Sequence, residues 1–274
     1  MSVAKISVII CSIDASKFAR ISECYGRLLN DHPYEIIGIH DAKSLAEGYN
    51  RGLERSNGNV IIFSHDDILV IERDFPRKLQ SYLTDYDILG FAGASRVVNG
   101  SWVAAGFPYV HGVVAHAFPK QPSIKLNVFG VQHWPVIPNI KLLDGLCIIS
   151  TREAAETIRF DPNLFDGFHL YDLDFSFRAH LAGYRLGVIC DMPIIHESGG
   201  QFDQTYVHYA NRFCRKYEAY FDPQDAATSR ITNNRPPPPS KGLSLPDHHS
   251  VLSLWQSHLL QRATISIART NRVE

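Results

Sequence analysis

An α/β fold, a mostly parallel sheet flanked by helices, is predicted by three observations on this sequence. Strand-like and helix-like segments alternate at short spacing through the first two-thirds of the chain, as parallel strands joined by crossover helices do. Two Ser-x-x-Glu capping boxes, Ser44-Leu-Ala-Glu47 and Ser150-Thr-Arg-Glu153, mark helix starts between strand-like runs. The run Val60-Ile-Ile-Phe63 breaks off into Ser64-His-Asp-Asp67, and buried parallel strands deliver their functional groups at that carboxyl end. With 274 residues, 45% of them hydrophobic, the chain has enough material for one full core with an appendage.

Taken in order, Ile6 to Cys11 reads as the first strand. Phe18, Ile21, Tyr25, Leu28 and Leu29 then recur at helical spacing behind caps at Asp14 or Ser16. Tyr34 to Ile39 is a second strand. Beyond the box at Ser44, residues Leu45, Tyr49 and Leu53 share one helix face until Asn57-Gly58 stops it. The strand ending in His65-Asp66-Asp67 completes β-α-β-α-β within the first 67 residues, a nucleotide-binding half-sheet in outline.

From 95 to 140 the periodicity fades. Gly, Pro, His and aromatics (Trp102, Phe107, Tyr109, His111, His116, Phe129, His133, Trp134) take over, as either a long functional loop or a set of irregular strands. Leu146 to Ile149 is again a strand, and the second capping box opens a short helix. Asp172 to Leu181 reads as a helix closed by Gly183, with Arg185 to Cys190 as the strand after it. From Asp203 to Phe221 the residues Tyr206, Tyr209, Phe213, Tyr217 and Tyr220 form a helical stripe that fits core packing. These elements place the main domain at 1–222, a Pro-rich linker at 223–246 and a C-terminal helical tail at 247–274. The tail carries Leu252, Trp255 and Leu259 on one face, to pack on its own domain, on a second copy of the chain or on a membrane surface. Its few cations favour packing within the protein.

Composition excludes some classes. With 27 basic and 28 acidic residues the net charge is −1, and no basic surplus exists to neutralise nucleic-acid phosphates. The five cysteines (Cys11, Cys24, Cys147, Cys190, Cys214) are odd in number and form no Cys-x-x-Cys pair. They read as reduced, packed thiols of a cytoplasmic protein. No apolar run reaches the length that spans a bilayer, and Ile6 to Cys11 is too short for a signal-peptide core.

Three constellations carry chemistry. In His65-Asp66-Asp67, carboxylates at a strand end suit a divalent cation held by hard oxygen ligands, or a polar turn. In Tyr171-Asp-Leu-Asp-Phe-Ser-Phe-Arg178, Asp172 and Asp174 open a helix, where the macrodipole favours negative charge. Asp174 and Arg178 are four apart and pair along the helix surface, a structural role. Asp172, at the very start, is free to project from the helix end or to act as an ordinary cap. In Ile194-Ile-His-Glu-Ser-Gly-Gly200, an apolar pair delivers His196 into a Gly-rich turn; a lone histidine after a strand is usually structural, but histidine is also the commonest metal ligand.

Together with the Leu143-Asp144-Gly145 turn before a strand, these motifs resemble the inverting nucleotide-sugar glycosyltransferases of family 2, which have the GT-A fold. The resemblance covers roughly residues 3 to 220 and is to bacterial members in which His-x-Asp replaces Asp-x-Asp. It implies a sugar transferred from a nucleotide-diphosphate donor to a saccharide or other hydroxyl acceptor. It further implies Mn²⁺ or Mg²⁺ held by Asp67 with His65 and His196, and Asp172 as general base. Ser12, Asp41, Ser44, Asn50 and Asp66 fall on the nucleotide side, and Asp144 and Gly145 near the acceptor. Trp102 and Trp134 either lie exposed and stack on acceptor sugar faces or pack the core, two readings of equal weight. The sequence departs from the family pattern at His65, at Tyr171 in place of Glu, and in lacking the Asp-Asp-Gly-Ser turn after the second strand. Two other classes share these residues. One is a metal-dependent nucleotidyltransferase or nucleotide-sugar hydrolase; the other is a nucleotide-sugar-binding protein without turnover.

Overall fold

The structure, a computed structural model, describes residues 4–72, 74–118, 123–129, 135–200, 202–221, 241–245, 247 and 249–254. The expected half-sheet is built from β1 (Ile6–Cys11), α1 (Ala15–Leu28), β2 (Tyr34–Ile39), α2 (Leu45–Arg55) and β3 (Val60–Ser64). β1 lies between β2 and β3, parallel to both. Each helix starts where a side chain takes up free backbone N–H groups: Asp14 accepts from Ser16 and Lys17, and Ser44 from Glu47. β3 is buried along its whole length, which explains its unbroken apolar run.

The chain then leaves this sheet. β4 (Ile68–Val70) and α3 (Phe75–Tyr82) lead to β5 (Ile88–Gly90) and β6 (Ala92–Ala94). The described residues of 95–140, left open between loop and strands, contain a 3₁₀ turn (Trp102–Ala105) and three strands. These are β7 (Val110–His116), β8 (Ile124–Phe129) and β9 (Val136–Ile137). After them come β10 (Leu142–Leu143), β11 (Cys147–Thr151), α4 (Arg152–Ile158), α5 (Tyr171–Leu181), β12 (Leu186–Ile189), β13 (Ile194–His196), α6 (Gln204–Lys216) and β14 (Lys241–Leu245). α4 is capped by Thr151, one residue later than the box predicted.

Two sheets result. The first has the order β2-β1-β3-β11-β5-β12-β9, and the second runs β10-β6-β7-β13-β4 with β8 and β14 added beside β7. β11 is antiparallel to β3, so its entry loop meets the exit of β3, and the His65 N–H donates to the Leu146 carbonyl at 3.1 Å. That reversal sets the Asp144-Gly145 turn beside His65-Asp66-Asp67.

α6 buries Tyr209, Phe213 and, just past its end, Tyr217, so the aromatic stripe is core for those three, whereas Tyr220 is exposed. Asp174 is fully buried and accepts from Arg178 Nε (2.8 Å), Lys216 Nζ (2.6 Å) and the Tyr217 hydroxyl (2.6 Å), tying α6 to α5. Lys241–Leu245, inside the stretch expected to be linker, instead pairs antiparallel with β8 and covers its otherwise open edge. Val251 is buried in the core cluster, so the start of the tail packs on the body. Trp255, Leu259 and Trp134 lie outside the described residues. All five cysteines are thiols. Among the described residues no helix is long and apolar enough to cross a membrane.

Candidate active site

The three constellations open on one cleft of about 900 Å³. Its first wall is the exit of β3. The Ser64 hydroxyl accepts from Tyr25 (3.0 Å) and donates to the His65 carbonyl (2.8 Å), which fixes the chain just before it turns. Asp67 and His196 are brought together by the antiparallel pairing of β4 with β13 and by the Glu197 N–H donating to the Asp67 carbonyl at 2.8 Å.

His65, Asp67 and His196 each offer a ligand atom, all within 4.8 Å of one another. His196 Nε2 lies 3.3 Å and His65 Nδ1 3.8 Å from Asp67 Oδ1. Donor atoms around a small divalent ion at ~2.1 Å stand about 3 Å apart when adjacent and about 4.2 Å when opposite. The cluster therefore fits such an ion after small rotamer shifts, and one carboxylate with two imidazoles is a donor set suited to Mn²⁺ or a similar metal. Burial works to raise the Asp67 pKa. The hydrogen bond from His196, with the charges of His196, His65 and Lys17, outweighs it and holds the carboxyl well below its usual range. Burial, then the neighbouring His196, lower the His65 pKa and so favour the uncharged imidazole that a metal needs.

The second wall is the start of α5. Leu170 takes a left-handed backbone (φ 63°), which turns Tyr171 and Asp172 into the cleft. The Asp172 carboxylate accepts from the Gly145 N–H at 2.7 Å. Burial, then the nearby Asp144 carboxylate, push the Asp172 pKa up to about 7, against backbone N–H groups that favour the charged form. Asp144 is itself held by the indole N–H of Trp102 (2.9 Å) and the Leu146 N–H (3.0 Å).

The two departures from the family pattern touch each other: His65 Nε2 and the Tyr171 hydroxyl are 2.8 Å apart. A carboxylate at 171 beside one at 65 would repel it. The His–Tyr pair is instead neutral and orients the imidazole so that Nδ1 faces Asp67. Neither residue signals this alone, because they are separated by 106 positions.

Of the residues expected on the nucleotide side, Asp66 lines the cleft, with its carboxylate accepting from buried Ser12 at 2.6 Å. Asp41 is exposed and pairs with Arg51 at 2.8 Å. Ser44 caps α2, and Asn50 exchanges two hydrogen bonds (2.9 and 3.0 Å) with the backbone of Phe160. None of these three lines the cleft. Trp102 does, but it is 8% exposed and packs edge-on to Phe129, so it positions Asp144 and offers little open ring face. Exposed rings at the cleft come instead from Phe168 and Phe202. Two more lining residues, Asn127 and Phe129, alternate with buried Leu126, a period-two signal present in the sequence.

Among solved structures, the chain resembles a mannosyltransferase from Pyrobaculum calidifontis in complex with GDP-Man and Mn²⁺. That likeness has 14% identity over 99% of this chain and 76% of that one, with a TM-score of 0.46. It also resembles TarS 1–349 of S. aureus, at 12% identity over 79% of this chain and 72% of that one, with a TM-score of 0.44. No protein of curated function matches it by sequence. Residues 7–217 match the family described as "Glycosyltransferase like family". The match spans most of the chain and both walls of the cleft, so this protein belongs to that family and is a glycosyltransferase.

Proposed function

We propose that the protein moves a sugar from a nucleotide-diphosphate donor to a hydroxyl acceptor with inversion. In this reading Asp172 is the general base, and Asp67, His65 and His196 hold a divalent cation. The supporting observation is the pairing, in one cleft, of a carboxylate whose pKa is raised to about 7 with a three-residue metal-ligating cluster.

A cation bound there would supply Lewis-acid charge against the negative charge that builds on a leaving diphosphate. Asp67 stays ionised as a ligand, and Tyr171 holds His65 in the orientation that points Nδ1 at the cluster. Asp172 has the opposite task. A proton acceptor poised near pH 7 takes the acceptor's proton as the hydroxyl attacks, a contribution of about 10²–10⁴-fold. Gly145 N–H fixes the Asp172 carboxylate, and Trp102 holds the Asp144 that tunes it. One base and one charge sink in the same cleft are sufficient for a single displacement, which inverts the anomeric centre.

The test is transfer from a panel of nucleotide sugars, with Mn²⁺, to a panel of hydroxyl acceptors and to water. Wild type should transfer to an acceptor much faster than to water, and Asp172→Asn should lose about 10²-fold or more in turnover. Release of sugar to water alone, at a rate indifferent to acceptor, would support a hydrolase and overturn this reading.

A further inference from the structure

Resting on that transferase reading, we propose that Asn127 reads a hydroxyl of the sugar being transferred. Asn127 is 7% exposed and lines the cleft, yet its side-chain oxygen has no hydrogen-bond partner among the described residues. A buried amide oxygen left unpaired is destabilising, and native proteins rarely keep one without a use. A ligand hydroxyl entering the cleft supplies the missing donor.

Its position along β8 selects which part of the ligand that is. Lys125, Asn127 and Phe129 line the cleft, and across the sheet Lys125 stands opposite His116 and Asn127 opposite Val114. The two ends of this strand face are anchored to the two chemical groups of the site. At one end the His116 ring is 5.6 Å from that of His196, in the metal-ligating cluster. At the other end Phe129 packs 5.0 Å from Trp102, whose indole holds Asp144 beside Asp172.

Asn127 is the midpoint. From Lys125 to Phe129 the strand covers about 13 Å at ~3.3 Å per residue, room for one sugar ring between a diphosphate and an attacking hydroxyl. The ring in the middle of that span is the one whose anomeric carbon changes partners. An unpaired acceptor oxygen between Lys125 and Phe129, with Val114 opposite, discriminates by absence: a donor lacking the hydroxyl leaves the oxygen unpaired.

The experiment uses the full chain with Mn²⁺, and compares the nucleotide sugar that most raises the melting temperature with its own bare nucleoside diphosphate. Asn127→Leu nearly conserves volume and removes the unpaired oxygen. It should weaken the nucleotide sugar by about tenfold or more and leave the bare diphosphate within about twofold. It should also leave the free protein at least as stable as wild type, because the unpaired group is gone. Equal weakening of both ligands, no weakening of either, or a loss confined to the acceptor's KM would overturn the assignment. Asn127→Ala gives the same ratio if the leucine variant does not fold. A wild type that binds no nucleotide sugar across UDP- and GDP-linked panels would fail the transferase reading first, and this assignment with it.

Discussion

The half-sheet β1–β3 and the second sheet around β7, β8 and β13 face each other across one cleft, but they are held together in different ways. In the half-sheet, strands consecutive in sequence are joined by single crossover helices, run parallel and sit under capped helices. Its acidic exit is held by the Ser64 and Leu146 hydrogen bonds to His65. The second sheet assembles β4, β6, β7, β10 and β13 from separate parts of the chain, through short and mostly antiparallel pairings. The metal cluster straddles this divide, with His65 and Asp67 beyond the end of β3 and His196 at the end of β13. The half-sheet exit thus supplies two of the candidate ligands, and the composite half supplies the third and, in the proposed reading, the surface that meets the sugar.

The largest effect expected from breaking this comparison is at Asp67, where the halves meet. Asp67→Asn should abolish the melting shift that Mn²⁺ adds to nucleotide-sugar binding, while the metal-free melting temperature stays close to wild type. An undiminished metal titration would remove Asp67 from the cluster. The next effect is structural. Asp174→Asn leaves Lys216 and Arg178 without their buried carboxylate, so unfolding free energy should fall by about 3 kcal/mol. Turnover per folded molecule should be retained at low temperature. Unchanged denaturant midpoints would contradict the tie between α5 and α6.

How far the sequence could be read follows the same divide. Ser44 as a cap, the buried run of β3 and the Asp174–Arg178 pair were legible because each is a local pattern. The acidic exit, Asp172 and His196 were singled out through the family resemblance, and they line one cleft. Family position put Asn50 near the nucleoside, whereas in the structure both ends of its amide bond Phe160 and the residue does not line the cleft. Trp102, open in the sequence between the acceptor side and the core, reaches the cleft buried and donating to Asp144. The His65–Tyr171 bond and the β14–β8 pairing were not legible, because each joins residues about a hundred positions apart with no local signature.

Smaller effects sharpen the contrast. Asn50→Ala should cost roughly 1–2 kcal/mol of stability by leaving the Phe160 backbone groups unpaired, with donor affinity unchanged. A selective loss of nucleotide affinity would return Asn50 to the site. Asp172→Asn should act in the stabilising direction. Its folded pKa of about 7 lies above the ordinary value of 3.8, so the wild type binds that proton more tightly when folded. Wild-type stability is then lost as pH rises from about 4 to about 7. Because the carboxylate is open to the cleft, the gain in the Asn variant above pH 7 should be about 1 kcal/mol and not the full shift. It should fade toward pH 4, as read by melting temperature across that range.

The pH dependence of kcat/KM with saturating Mn²⁺ tests the central claim most directly. If Asp172 is the base, the wild-type profile rises with unit slope and levels off near pH 7, where its carboxyl ionises. In Asp172→Asn the residual activity should show no such limb. A wild-type profile flat from pH 6 to 8, or an identical limb persisting in the Asn variant, would contradict the assignment.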